Sequence, residues 1–217
     1  MTDVGKQRQT NEDRVLVDVE HGIFLVADGM GGHNAGEIAS SIAVQEAYAF
    51  LVSAPRESAS QDLLPLLEEA FRQAHASIRR KASSDSALDG MGTTLVGVLI
   101  DGDMAFVCNS GDSRAYLFRK RLIQLTVDHS LENQRNILTQ ALGTTQDPVP
   151  FRQSAALQPG DVLLLCTDGL TGLLDDSELE TILRAQGNSP DRAVHALVGE
   201  ALRRGGHDNV SAVVVQY

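Results

Sequence analysis

Several acidic residues in this chain share one local setting. Asp28 ends the apolar run Ile23-Phe24-Leu25-Val26-Ala27 and is followed by Gly29-Met30-Gly31-Gly32-His33. Asp168 ends Val162-Leu163-Leu164-Leu165-Cys166-Thr167 and is followed by Gly169. Asp208 sits after Gly205-Gly206, at the mouth of the strand-like Val210–Gln216. Glu12 and Asp13 stand at the mouth of Arg14–Val19, and Asp89 lies in the loop before Thr93–Ile100. An apolar strand is a rigid mount for the side chain at its tip, and a neighbouring glycine lets backbone approach whatever that side chain holds. Gathered carboxylates repel one another unless positive charge sits among them. Hard divalent cations with oxygen ligands, Mg²⁺ or Mn²⁺, meet that need. Histidines and thiols at zinc spacing are absent, so zinc fits poorly. Two such ions held close together can bridge and deprotonate a water, giving a nucleophile at neutral pH. Arg8 could then grip a pair of phosphate oxygens. Any one of these acids alone reads as a solvated turn residue; their repetition at strand ends is what points to a site.

The elements that must position them follow from periodicity. Arg14–Val19 and residues 22–27 read as two antiparallel strands joined at Glu20-His21-Gly22, which brings Glu12-Asp13 and Asp28 to one sheet edge. Asn34, with Glu37 three residues on, has the form of a capping box. The stripe Ile38, Ile42, Ala43, Ala49, Phe50 and Leu51 then gives a helix to about residue 53. A second helix is expected from about Asp62 to Ser83, with Pro65 tolerated in its first turn. Strands are expected at Thr93–Ile100, Met104–Cys108, Arg114–Phe118 and Leu122–Leu125, with Asp101-Gly102-Asp103 as a hairpin turn. Residues 128–143 read as mixed, with a short helical stretch around Arg135–Leu142. After the strand Val162–Cys166 come helices at roughly 177–185 and 190–203, then the last strand. Short connections favour antiparallel pairing. Helices paired between sheet segments favour two sheet layers between helix layers. The expected class is α+β, a four-layer αββα sandwich.

A length of 217 residues suits one domain with a substantial core. The net charge of −11 argues against a nucleic-acid backbone as partner. Cys108 and Cys166 lie inside apolar runs and read as small buried hydrophobes in a reducing compartment. No apolar run reaches membrane-spanning length, and no signal-peptide pattern is present. The expectation is a cytoplasmic monomer with no membrane or nucleic-acid partner.

The segments around these acids resemble the metal-dependent serine/threonine protein phosphatases of type 2C, in their bacterial form. The matching stretches are Gly5…Arg8-Gln9-Thr10-Asn11-Glu12-Asp13, Val26-Ala27-Asp28-Gly29-Met30-Gly31-Gly32-His33 and Gly92-Thr93-Thr94. Gly111-Asp112-Ser113-Arg114-Ala115-Tyr116, Leu125-Thr126-Val127-Asp128-His129-Ser130 and Thr139-Gln140-Ala141-Leu142-Gly143 follow. Thr167-Asp168-Gly169-Leu170 and Gly206-His207-Asp208-Asn209-Val210-Ser211 complete the series. They run in the family's order over nearly the whole chain.

The resemblance implies that Asp28 bridges two Mn²⁺ or Mg²⁺ ions, with the Gly29 carbonyl on one of them. It implies that Asp168 and Asp208 hold the other ion and that Glu12 holds one directly or through water. Arg8 would bind the substrate phosphate, and Asp89 with Asp168 would hold a weaker third ion. It further implies direct hydrolysis of phosphoserine and phosphothreonine in protein substrates by a metal-bridging hydroxide, opposing bacterial serine/threonine kinases. The chain departs from the family in three places. Met30 stands where animal members carry a histidine proposed as general acid, so His33 or a bound water is left for that task. The flap segment near 130–136 is much shortened. The family's first strand is trimmed, within a single catalytic domain spanning 1–217.

Two other enzyme readings fit less well. Leu99-Ile100-Asp101-Gly102-Asp103 could open an aspartyl-phosphate hydrolase, but the chain turns straight back instead of crossing over through a helix. Gly29-Met30-Gly31-Gly32 lacks the Gly-Lys-Ser/Thr of a phosphate-binding loop. A non-catalytic binding module with the same fold would be expected to have lost some of the acids. His75 and His195 read as helix-surface residues and His129 as structural.

Overall fold

The computed structural model describes residues 1–31, 35–55, 62–131, 134–187 and 189–217, with 135 and 136 described by backbone alone. Among them the strands are β1 (Thr2–Asp3), β2 (Asp13–Asp18), β3 (Ile23–Met30), β4 (Gly92–Thr93), β5 (Leu95–Asp101), β6 (Met104–Ser110) and β7 (Arg114–Phe118). Then come β8 (Leu122–Gln124), β9 (Ser130–Leu131), β10 (Gln134–Leu138), β11 (Phe151–Ala156), β12 (Val162–Cys166) and β13 (Val210–Gln216). The helices are α1 (Ala35–Ser53), α2 (Leu64–Ser83), α3 (Asp168–Thr171), α4 (Asp176–Gln186) and α5 (Pro190–Arg203).

One sheet runs β11-β6-β5-β3-β2, with β4 pairing the end of β3; the other runs β1-β13-β12-β7-β8. Their strand pairs are antiparallel. Side chains on a strand alternate between faces, and that period builds the layers. Ile23, Leu25 and Ala27 of β3 pack with Ala39 and Ala43 of α1 and with Leu67 and Phe71 of α2. Phe24 and Val26, between them in sequence, pack instead with Leu163 and Leu165 of β12 and Val213 of β13. The other faces of β12 and β13, carrying Leu164, Cys166 and Ala212, pack with Leu179 of α4 and Leu197 and Val198 of α5. Three apolar cores therefore separate helix, sheet, sheet and helix, the expected αββα sandwich.

The structure differs from the sequence expectation in four places. α2 starts at Leu64, not Asp62, because the Asp62 carboxylate accepts the Leu64 N–H at 3.0 Å and so lies just outside the helix. The expected strand 93–100 is split at Thr94, which is diverted to hold Asp28. The helix expected around 135–142 is absent: Gln134–Leu138 pairs with β9 as a hairpin strand, and Leu142 exchanges backbone hydrogen bonds with Thr93. β11 was not anticipated, because an edge strand with Arg152, Gln153 and Ser154 exposed has no apolar alternation to reveal it. The Asn34–Glu37 capping box and His33 lie outside the described residues. Cys108 and Cys166 are free and buried, and burial pushes both thiols up to about 12.

Candidate active site

The β2–β3 register sets Asp13 directly opposite Asp28. The backbone of Asp28 is pinned by its neighbours. Its N–H donates to Thr94 Oγ1 at 2.9 Å, and its carbonyl accepts from the Thr94 N–H and the Thr93 hydroxyl, both at 2.8 Å. Gly29 follows, and its N–H donates to the Glu12 carbonyl at 3.2 Å. A Cβ on Gly29 would overlap the Gly36 carbonyl, and a Cβ on Gly36 would press on the Glu12 carboxylate. This glycine pair is what lets the first turn of α1 seat Glu12 beside Asp28.

The second sheet supplies the other acids. Asp168 opens α3 directly beyond β12, where Gly169 touches the Asn209 carbonyl too closely for any side chain. Asn209 ties the N-terminal loop to this edge. Its Oδ1 accepts the Glu12 N–H at 2.8 Å, and its Nδ2 donates to the Val4 and Thr10 carbonyls, both at 2.9 Å. Arg8, carried on that loop, donates to Asp208 Oδ2 at 2.8 Å and remains half exposed.

Arg8, Glu12, Asp28, Gly29, Asp168 and Asp208 all line one cleft of about 590 Å³. Asp89 does not. It is exposed, just past the turn Ser86–Leu88, and is not among the cleft's lining residues. Asp112 lines the cleft instead, together with an adjoining hollow of about 310 Å³ that it shares with Asp168, Arg114, Asp128 and Ser130. The signal for it was present in the sequence, since Gly111-Asp112 caps strand β6 in the manner of the other acids. Around it, Arg114 grips Asp128 through Nε and Nη2 at 2.9 and 2.7 Å, and His129 Nδ1 accepts the Gly111 N–H at 3.3 Å.

Electrostatics mark the cluster as a place for positive charge. Burial, then the charges of Asp13 and Asp168, drive the Asp28 carboxyl well above the ordinary range. Burial also raises Asp168, against a hydrogen bond from Asp28 that favours its charged form. The two carboxyls bear on each other, and both are raised. Burial pushes Asp13 up to about 7, although Ser211 and Thr167 hydrogen-bond to it. Asp112 is pushed up to about 7 by burial and by Asp168, and burial raises Glu12. Asp13 Oδ1 is buried with no partner, while its Oδ2 accepts from Thr167 at 3.0 Å. A cation would offset these costs together. The oxygen-only donor set suits Mg²⁺ or Mn²⁺. Among the described residues no three acids converge as a finished cage.

Fold and cleft together define an antiparallel two-sheet sandwich with a cation-seeking acidic site at its sheet ends. The family model for protein phosphatase 2C matches residues 5–203, and the chain belongs to that family. The serine/threonine phosphatase stp of Listeria monocytogenes is 33% identical over 99% of this chain and 93% of its own length. Protein phosphatase PhpP of Streptococcus pneumoniae is 34% identical over 99% of this chain and 95% of its own length. The crystal structure of the PstP catalytic domain, a serine/threonine phosphatase in complex with two manganese ions, matches with a TM-score of 0.89. It is 32% identical and covers 100% of this chain and 95% of that one; PstP is a Mycobacterium tuberculosis protein.

Proposed function

We propose that this chain hydrolyses phosphoserine and phosphothreonine esters in proteins with the aid of two Mn²⁺ or Mg²⁺ ions. The observation that carries the reading is the gathering of Asp28, Asp168, Asp208 and Glu12 from two sheets into one cleft with Arg8 at its rim. Asp28, Glu12 and the Gly29 carbonyl would hold one ion, and Asp28, Asp168 and Asp208 would hold the other. Asp112, in place of the exposed Asp89, joins Asp168 for a weaker third. When bound, such ions supply Lewis acidity and a water nucleophile at neutral pH. Arg8, half exposed at the rim beside Asp208, would orient the phosphate through a two-pronged contact. Met30 lines the cleft and has no proton to give, so the leaving oxygen is protonated by another group.

The substrates are phosphoproteins made by a partner serine/threonine kinase. We place the chain as a monomeric catalytic domain over 1–217, with the short β9–β10 hairpin in the place of a larger flap, acting in the bacterial cytoplasm. Among the described residues no helix is long and apolar enough to cross a membrane.

The deciding assay is hydrolysis of a phosphothreonine peptide with Mn²⁺ or with excess chelator, for the wild type and Asp168→Asn. Turnover should require Mn²⁺ and fall about a thousandfold in the variant, as expected for several kcal/mol of lost charge stabilisation. Turnover that survives chelation would overturn the reading.

Arg8→Ala should raise KM for a phosphoester about tenfold to a hundredfold, since a charge-assisted hydrogen bond contributes roughly 1.5–3 kcal/mol. The Mn²⁺ concentration giving half-maximal rate should change little. Steady-state kinetics check this, and an unchanged KM would remove Arg8 from the phosphate site.

A further inference from the structure

One wall of the cleft is made by Ile137, Leu138, Gln140, Ala141, Thr144 and Thr145. Most of this wall lies outside the two main sheets. Leu142 is joined to Thr93 by two backbone hydrogen bonds of 3.0 and 2.9 Å, and the chain then turns at Gly143. There φ is +94°, and the Ile78 side chain and Met91 carbonyl leave no room for a Cβ. Glycine is the residue that tolerates both constraints.

Behind this turn stands His75 of α2. It is not a helix-surface residue: it is 7% exposed. Its Nδ1 accepts the Gly143 N–H at 3.1 Å, and the Gln146 backbone lies near enough to favour the ring's charged form. With Nδ1 accepting, the neutral ring carries its proton on Nε2. The charged groups facing the ring are Arg79 on its own helix and Asp147 on the loop. Burial, and then Arg79, hold the imidazole below its usual range, which keeps it neutral. The bond to Gly143 and the influence of the Gln146 backbone place His75 against residues 143–146, which include Thr144 and Thr145 of the cleft wall. Thr145 Oγ1 in turn accepts the Ala141 N–H at 3.0 Å, carrying the constraint back along the wall.

We propose that His75 is a positioning residue for the substrate: by fixing the 143–146 turn from behind, it holds the wall against which the polypeptide around the phosphorylated residue lies. The inference rests on the phosphatase reading. His75 itself does not line the cleft, so its loss loosens the wall while leaving Asp28, Asp168 and Arg8 in place. A phosphopeptide would feel that loss, and a small aryl phosphate, which occupies only the acidic floor, would not.

The test is KM and kcat with Mn²⁺ for a phosphothreonine peptide and for a small aryl phosphate. Wild type, His75→Phe, His75→Asn and His75→Gln are compared. His75→Phe should raise the peptide KM about tenfold, in line with the sensitivity of rates to misplacement of binding groups. It should change the aryl phosphate kcat less than about twofold, a factor worth only a few tenths of a kcal/mol. An asparagine amide oxygen can stand where Nδ1 stands, so His75→Asn should recover most of the peptide KM. A glutamine amide reaches the Nε2 end and should recover less. An unchanged peptide KM in His75→Phe overturns the inference. So does a parallel fall of kcat on both substrates with no rescue by asparagine, the mark of a scaffold residue only. If His75→Phe does not fold, the asparagine and glutamine variants decide: equal peptide KM values overturn the inference. Absence of metal-dependent turnover in the wild type would overturn the phosphatase reading itself, a result separable from all of these.

Discussion

Asp28→Asn is expected to abolish Mn²⁺-dependent turnover while leaving the metal-free protein at least as stable as the wild type. The two effects have one origin. Asp28 is half-buried beside Asp13 and Asp168, and desolvation, Asp13 and Asp168 all raise its carboxyl. In a site that holds cations, the charge of Asp28 is what two ions share. Removing it forfeits several kcal/mol of charge stabilisation, and each 1.36 kcal/mol is tenfold in rate. A fall of about 10³-fold or more follows. Without cations the same charge opposes folding. The Asn amide has the shape of the acid, carries no charge, and can donate a hydrogen bond to the neighbouring carboxylates. Thermal unfolding at pH 8 should show two things. In chelator the variant should melt at or above the wild-type temperature. On adding Mn²⁺ the wild type should gain stability by ligand linkage, and the variant should gain far less. An ordinary structural aspartate predicts the reverse, a variant that is less stable everywhere. A variant that keeps the full Mn²⁺-induced rise would remove Asp28 from the ligand set.

The hairpin that carries Asp28 was legible because its signals are local. Two short apolar runs flank a turn at Glu20-His21-Gly22, and the acids fall at matching ends; the register of Asp13 on Asp28 follows from those lengths. Layering was legible from the helices paired between sheet segments, and the strands β3 and β12, apolar on both faces, feed two cores at once. What failed depends on partners distant in sequence. The stretch 135–142 carries enough helix formers to suggest a helix, but pairing with β9 and with Thr93 overrides that preference. Asp89 and Asp112 both sit in polar loops, and only the path of the chain decides which one reaches the cleft. Asp112 follows directly from a buried strand, whereas Asp89 comes after a turn capped locally by Asp85. His75 could have been placed on the buried face of α2, since Phe71 lies four residues before it and Ile78 three after, both buried. Its partner Gly143, 68 residues away, could not.

The metal-free protein should lose stability as pH rises from about 5 to about 8, the opposite of the trend set by carboxylates held in ion pairs. The sign follows from Asp13, whose carboxyl is moved from 3.8 to about 7, chiefly by burial. The folded state binds that proton more tightly than the unfolded chain does. Below about pH 4 both states hold it. Between the two values only the folded state does, and each step up in pH then costs folding free energy. Above about 7 the full penalty is in place, on the order of 4 kcal/mol at most for a shift of this size. Asp112, also at about 7, and Asp28 titrate in the same cluster, so the transition belongs to the group of acids rather than to one of them. Exposed acids do not mask it: Glu200, drawn down to about 2 by Arg203 and Arg204, loses its contribution only as pH falls below the window. Urea midpoints in chelator at pH 5, 6, 7 and 8 measure the slope. It should be negative for the wild type and shallower for Asp13→Asn, which cannot charge. With Mn²⁺ it should vanish or reverse, because a cation among the acids favours their ionised forms. A midpoint that rises with pH in chelator, or a slope untouched by Asp13→Asn, would show that Asp13 folds already charged and that the buried acids do not set the protein's demand for metal.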